Sequence, residues 1–203
     1  MLIIDPGTQT ERENYKLLTG SIIPRPIAFI TSLSRNGVLN AAPYSYFNIV
    51  TANPPMISVS IQRKNGAYKD IARNIIETGS FVVHITDESY IEAINKTAAN
   101  LPAEESEVEL AKLTLVPSNK IKTPGVKEAK IRMECRLEKN IELGGSSAGP
   151  ACDLIIGEVM CFHIAEELFE DGRIDAYQLQ PVSRLAGNNY SSLGEQFTLE
   201  RPE

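Results

Sequence analysis

The spacing of apolar residues along this chain switches several times between the period of a strand and that of a helix, and each switch marks an element. Residues 56–61 alternate cleanly, with Ile57, Val59 and Ile61 on one face and Ser58 and Ser60 on the other. Residues 27–33 and 81–86 are short apolar runs of strand length. Residues 129–143 alternate again, setting Ile131, Met133, Cys135 and Leu137 against Arg132, Glu134, Arg136 and Glu138. That pattern predicts a strand with one wet face, as antiparallel sheets allow. Residues 153–165 are apolar on both faces and predict a more central strand. Helical spacing occurs at 68–78, where Ile71, Ala72, Ile75 and Ile76 form a stripe, and at 87–99, with Ile91, Ile94 and Ala98.

The punctuation between these runs is equally readable. Thr10-x-x-Glu13 is a capping box, opening a helix that stops at Gly20. Ile22-Ile23-Pro24-Arg25-Pro26 is extended, because each proline pushes its predecessor out of the helical region. Asn36-Gly37 predicts a hairpin after 27–33. The return run, 38–50, carries Asn40, Pro43, Ser45 and Asn48, too polar and too proline-marked for a central strand. Residues 101–124 are a polar excursion, whose acidic cluster at 104–109 is expected to be the solvated start of a short helix over 106–112. Gly144-Gly145-Ser146-Ser147-Ala148-Gly149-Pro150 has no lysine after its glycines and no helical pattern behind it, which predicts a strand-to-strand connection. Asp171-Gly172 marks a tight turn, and 180–203 is irregular. With no internal repeat, the chain reads as one domain over 1–203 with a core of about 15–190. Mostly antiparallel strands with a few inserted helices make it a closed or nearly closed barrel.

Composition removes several function classes. The chain is 42% hydrophobic and 23% charged, ordinary for a globular protein, and its net charge of -6 includes no basic block. Nucleic acid is therefore not an expected partner. No apolar run nears the ~18–20 residues of a membrane span, and the first residues lack a basic signal-peptide region, so no membrane association and a cytoplasmic location are expected. Cys135, Cys152 and Cys161 form no Cys-x-x-Cys pair and have no histidine at ligand spacing. Cys135 and Cys161 are expected as small buried hydrophobes, and His84 and His163 as core or edge residues. No metal site is predicted. A hydrolytic triad also fails, since both histidines sit inside strand-like runs and leave no general base on a loop.

Residues 24–70 carry the chemistry. Prolines free backbone amides there, Thr31, Ser32, Ser45, Ser58 and Ser60 supply hydroxyls, and Asn40 and Asn48 supply amides, a set suited to a planar, anionic cofactor. Arg63, Lys64 and Lys69 surround the turn Asn65-Gly66 just before the helix at 68–78. A helix start flanked by basic side chains makes a phosphate site. The same three residues also read as plain surface charges at a loop.

Pro24-Arg25-Pro26-Ile27-Ala28, Gly37-x-x-Asn40-Ala41-Ala42-Pro43-Tyr44-Ser45-Tyr46-Phe47-Asn48, Pro54-Pro55 and Lys69-Asp70 with Asn74-Ile75 form a specific series. Downstream, Glu128-Ala129, Glu134-Cys135 and Pro181-x-x-Arg184-Leu185-x-Gly187-x-x-Tyr190 continue it. Together they resemble the flavin reductase-like family, whose fold is the FMN-binding split barrel. The resemblance implies a mainly β, six-stranded, antiparallel, Greek-key-like barrel with inserted helices. It also implies a homodimer with FMN near the subunit interface, and hydride transfer from NAD(P)H to FMN. By the same resemblance, Asn40, Ala41, Ala42 and Ser45 present donors to the isoalloxazine edge, and Thr31 and Ser32 reach the ribityl or phosphate oxygens. Arg63 and Lys69 meet the phosphate, and Arg184 and Tyr190 close over the cofactor. Tyr44, Asn48 and Asp70 belong to the same motifs and join the cofactor-binding set. No catalytic acid or base is assigned, because the flavin performs the hydride chemistry. One departure is Ile71, where the family often has threonine. Two alternatives stay open: a flavoredoxin-like FMN electron carrier that docks a redox partner protein, and a module holding another phosphate-bearing planar ligand.

Overall fold

The capping box sets where the chain first turns helical. In the computed structural model, Thr10 Oγ1 accepts the Glu13 N–H, and the Glu13 carboxylate accepts the Thr10 N–H at 2.8 Å. The structure describes residues 1–99, 101–102, 104–147 and 149–202; Asn100, Ala103, Glu203 and Ala148 of the glycine-rich loop lie outside the described residues. The helices are α1 (Glu11–Ser21), α2 (Asp70–Thr78), α3 (Ile91–Lys96), α4 (Glu107–Leu110) and α5 (Ala176–Leu179). The strands before α3 are β1 (Arg25–Pro26), β2 (Ala28–Leu33), β3 (Leu39–Tyr44), β4 (Phe47–Ala52), β5 (Pro55–Gln62) and β6 (Ser80–Ile85). Those after it are β7 (Leu115–Val116), β8 (Gly125–Val126), β9 (Ile131–Leu143), β10 (Cys152–Ile164), β11 (Phe169–Glu170), β12 (Arg173–Ile174), β13 (Ser183–Arg184) and β14 (Tyr190–Ser191). Among the described residues no helix is long and apolar enough to cross a membrane.

The main sheet is antiparallel, in the order β3-β2-β6-β9-β10-β5-β4. It has seven strands where six were expected, because 47–52 also pairs, along β5. The polar run 38–50 supplies parts of the two end strands of this order, β3, which carries Pro43, and β4; at an end a missing N–H is tolerated. The long, two-sided apolar strand β10 lies inside it. The sheet curls around one core made by Ala28, Ile30, Val59, Phe81, Val83, Cys135 and Ile155, and the stripe Ile71, Ala72 and Ile75 of α2 closes it. Gly79, at φ 76°, ends α2 in the left-handed conformation that glycine adopts most easily. A second apolar layer forms on the other face of β2 and β3, where Tyr90, Ile94 and Val108 of the α3 and α4 region cover Phe29, Leu39 and Ala41.

Two polar expectations are corrected by this layering. Glu107, read as part of a solvated cluster, is buried, and its carboxylate accepts the Ala41 N–H at 3.0 Å and the Asn40 amide at 3.3 Å. It docks α4 onto β3. Glu134, read as part of a wet face, is 1% exposed, because the segment carrying β7 and β8 folds over it. Its carboxylate accepts the Asn119 and Lys120 N–H groups at 2.6 Å each. Burial alone would raise its pKa, but those two N–H groups and His163 hold it below the usual carboxylate range. Only Arg136 and Glu138 keep that face wet. The helices at 87–99 and 106–112 are also shorter than expected. Asp87 folds its carboxylate back onto the Ser89 N–H, which delays α3.

His84 bridges the layers. Its Nδ1 bonds the Phe29 carbonyl at 2.9 Å, and its Nε2 accepts the Val126 N–H at 3.0 Å, an arrangement that needs the neutral ring. Burial pushes its pKa down to about 3. The unfolded chain therefore takes up a proton near pH 6.5 that the folded chain refuses. Stability is complete above that pH and is expected to fall between it and about pH 3, by up to about 1.4 kcal/mol per pH unit from this residue. Proton NMR should show the His84 ring signals flat from about pH 7 to about pH 5, where a free histidine titrates. A normal titration would refute the buried neutral ring.

Candidate functional site

The turn between β3 and β4 forms one wall of a cavity of about 690 Å³. Tyr44, Ser45 and Tyr46 come from that turn, Tyr15 and Thr19 from α1, and Ser60 and Gln62 from β5. Asn95 of α3, with Arg184 and Tyr190 of the β13–β14 hairpin, completes the opposite side. A second cavity of about 520 Å³ adjoins it at Pro43, Tyr44, Lys69 and Ala98, and is lined by Ala42, Lys64, Asp70 and Ile71 at the start of α2.

The larger cavity is electropositive in a chain of net charge -6. Arg25, Lys69 and Arg184 line it, and no Asp, Glu or His does among the described residues. Arg25 is 6% exposed. Its guanidinium donates to the carbonyls of Thr19 (2.7 Å), Ile22 and Leu185 (3.0 Å), while its buried Nε has no partner among the described residues. Arg184 lies 4.5 Å from the Tyr190 ring centroid and donates to the Tyr190 hydroxyl and the Gly187 carbonyl. Tyr190 in turn donates to Asn95 at 3.3 Å. The Lys69 ammonium sits 5.9 Å from the Tyr44 ring centroid and forms no ion pair among the described residues. Burial against the cavity wall, then Lys64, lower its pKa. Lys69 is also the N-cap of α2, which has no side-chain cap, so first-turn N–H groups stay open beside it. The Tyr44 hydroxyl is held protonated, chiefly by burial and then by Glu107 and Asp70.

Of the residues named from sequence, Ala42, Tyr44, Ser45, Lys69, Asp70, Arg184 and Tyr190 line these two cavities. The others lie elsewhere. Thr31 is buried and donates to the Pro124 carbonyl at 2.8 Å, and Ser32 accepts from Asn74 at 3.3 Å. Asn40 is consumed by Glu107, Asn74 and the Glu105 carbonyl, and the Ala41 N–H by Glu107. Asn48 is exposed and accepts the N–H of its own neighbour, Ile49. Arg63 forms a two-bond pair with Asp153 (2.9 and 2.8 Å), a further bond to Glu142, and stacks 3.9 Å over Tyr68. Its charge is already matched by two carboxylates. Asp70 bonds Arg73. Ile71 is 2% exposed and belongs to the core, so its departure from threonine is a packing choice. Sequence reasoning missed Tyr15, Arg25, Tyr46, Gln62 and Asn95. Arg25 and Tyr46 lay inside the quoted motifs and could have been found; Tyr15, Gln62 and Asn95 carried no signal.

Comparison with known proteins places the chain in a family and confirms its fold. The family model described as the flavin reductase like domain matches residues 19–179. The crystal structure of nitrilotriacetate monooxygenase component B from Bacillus cereus is 68% identical, with a TM-score of 0.97 over 98% of both chains. The 2-nitrobenzoate 2-nitroreductase NbaA of Pseudomonas fluorescens is 33% identical, with a TM-score of 0.89 over 99% of this chain and 96% of that one. Flavoredoxin of Desulfovibrio vulgaris (Miyazaki F), 23% identical with a TM-score of 0.74 over 88% of this chain and 91% of that one, shares the fold.

Proposed function

Because this chain belongs to the flavin reductase like family, we propose that it binds FMN in the cavity beside Tyr44 and Lys69 and reduces it with NAD(P)H. One observation carries this reading: three cations and four tyrosines converge on a cavity that holds no carboxylate among its described lining residues. Such a site favours a planar anion. Lys69 and the open first turn of α2 would hold the phosphate. Tyr44, Ser45 and Tyr46 would flank the ring, and Arg184 on Tyr190 would cover it. The unpartnered Arg25 Nε offers one more buried donor to an anionic ligand. When bound, FMN supplies a ring that accepts hydride. The protein's share is to orient, to exclude water and to supply positive potential, and a lining without Asp, Glu or His among the described residues suits a reaction that the flavin itself carries. Without a glycine-rich dinucleotide motif, the nicotinamide nucleotide would bind transiently.

A homodimer is part of the proposal. Leu17 and Leu18 of α1, Ile22 just after it, and Ile49 and Val50 of β4 leave apolar surface exposed. Light scattering should then give about twice the 22.3 kDa of one chain; a monomeric mass would remove the dimer. For the activity, purified protein titrated with FMN without oxygen should bind it more tightly than riboflavin, and NADH or NADPH should then bleach the flavin absorbance. No binding of FMN would sink the proposal. Tight binding with no bleaching by either nucleotide would leave an electron carrier.

A further inference from the structure

Outside the cavities, among the described residues, Glu134, Cys161 and His163 form a group whose donor atoms all lie within 4.8 Å of one another. A β-bulge produces it. Up to Val159 the odd-numbered residues of β10 face the core, where Ile155 and Val159 are buried. The register then passes from Val159 opposite Cys135 to Cys161 opposite Glu134, so Met160 is an extra residue. One inserted residue moves every following side chain to the other face. Regular alternation would have sent Cys161 and His163 into the core, the place the sequence assigned to Cys161. The bulge turns both outward instead, beside Glu134.

The group is anchored at one end and accessible at the other. Glu134 is held by the backbone N–H groups of Asn119 and Lys120, one on each carboxylate oxygen. His163 Nε2 stands 2.5 Å from Glu134 Oε1, and the His163 side chain is 21% exposed. Arg132, opposite His163 on the same face, directs its guanidinium to the Val126 carbonyl. A thiolate, an imidazole and a backbone-braced carboxylate are the donor set of a borderline-soft divalent ion.

We propose that Glu134, Cys161 and His163 bind one zinc ion per chain, with a fourth position left to water. Around a tetrahedral ion with bonds of ~2.0–2.3 Å, the donor atoms stand about 3.3–3.6 Å apart. The Glu134–His163 contact must therefore open by about 1 Å, which rotation of the partly exposed His163 and Cys161 side chains provides while Glu134 keeps its two amides. The site lies on the outer face of β9 and β10, and it holds whether or not the flavin reading does.

The test uses the full chain, reduced and stripped with a chelator, then equilibrated with zinc by dialysis and with cobalt as a spectroscopic probe. About one zinc per chain is expected, and cobalt should give thiolate-to-metal charge transfer together with the visible bands of a tetrahedral site. Cys161→Ser should abolish the charge-transfer band, and His163→Ala should weaken zinc binding about tenfold or more. Cys152→Ser, whose thiol lies outside the group, should change neither. Far-UV circular dichroism checks folding, and His163→Gln repeats the test if His163→Ala does not fold. Zinc at background level, binding unchanged by both Cys161→Ser and the His163 variants, or loss on Cys152→Ser would each overturn the site.

Discussion

Replacing Phe81 with alanine is expected to lower the unfolding free energy by about 3–5 kcal/mol, the range for removing a fully buried aromatic side chain. Phe81 is 0% exposed and belongs to the core that the curled sheet encloses. Its ring lies over Gly157 of β10, where an added Cβ would overlap the ring atoms and also approach Cys135 at 3.4 Å. Gly157 is thus the hole into which Phe81 fits. Gly157→Ala should cost about 1–3 kcal/mol from the opposite cause, overpacking. Phe81→Leu combined with Gly157→Ala should then cost clearly less than the two single changes added together, because a smaller side chain vacates the space that the new methyl needs. Urea unfolding of the four proteins measures this coupling. Strict additivity would mean that the strand shifts to accommodate the methyl and that the two residues do not share one space.

Lys69→Ala is expected to weaken FMN binding by about 1.5–3 kcal/mol, the value of a charge-assisted hydrogen bond, and to leave riboflavin binding almost unchanged. The expectation rests on Lys69 being without an ion pair among the described residues while lying at the open first turn of α2. Fluorescence titration with the two ligands separates a phosphate contact from general damage. Equal losses for both would make Lys69 a structural residue. Arg63→Ala is the informative contrast. Its guanidinium is bound to the fully buried Asp153, so its removal should lower the urea midpoint by stranding that carboxylate, and the folded fraction should still distinguish FMN from riboflavin. Lys127, exposed after β8, is the neutral control. Ile71→Thr, which would restore the family's usual hydroxyl, is expected to destabilise the fold, because Ile71 packs in the core.

Sequence alone determined whatever depends on the local period of the backbone. The faces of β5 and β9, the stripe of α2, the capping box of α1 and the hairpin at Asn36-Gly37 follow from repeats of two or of 3.6 residues and from turn chemistry. The motifs from Pro24 to Asp70 and from Pro181 to Tyr190 identified the family. They also named Tyr44, Ser45, Lys69, Arg184 and Tyr190, which line the larger cavity. Only the tertiary structure decided how each polar residue is used. Asn40, Ala41 and Arg63 have the chemistry of ligand donors, but Glu107 and Asp153, 66 or more residues away in the chain, reach them first. Glu134 alternates as a wet residue and is dry because the segment carrying β7 and β8 covers it. Cys161 reads as a buried residue and His163 as a core or edge one until one extra residue in β10 sets their side. Periodicity specifies which way a side chain points relative to its neighbours. What it meets there depends on which distant segment covers that face, and that is a property of the packed chain.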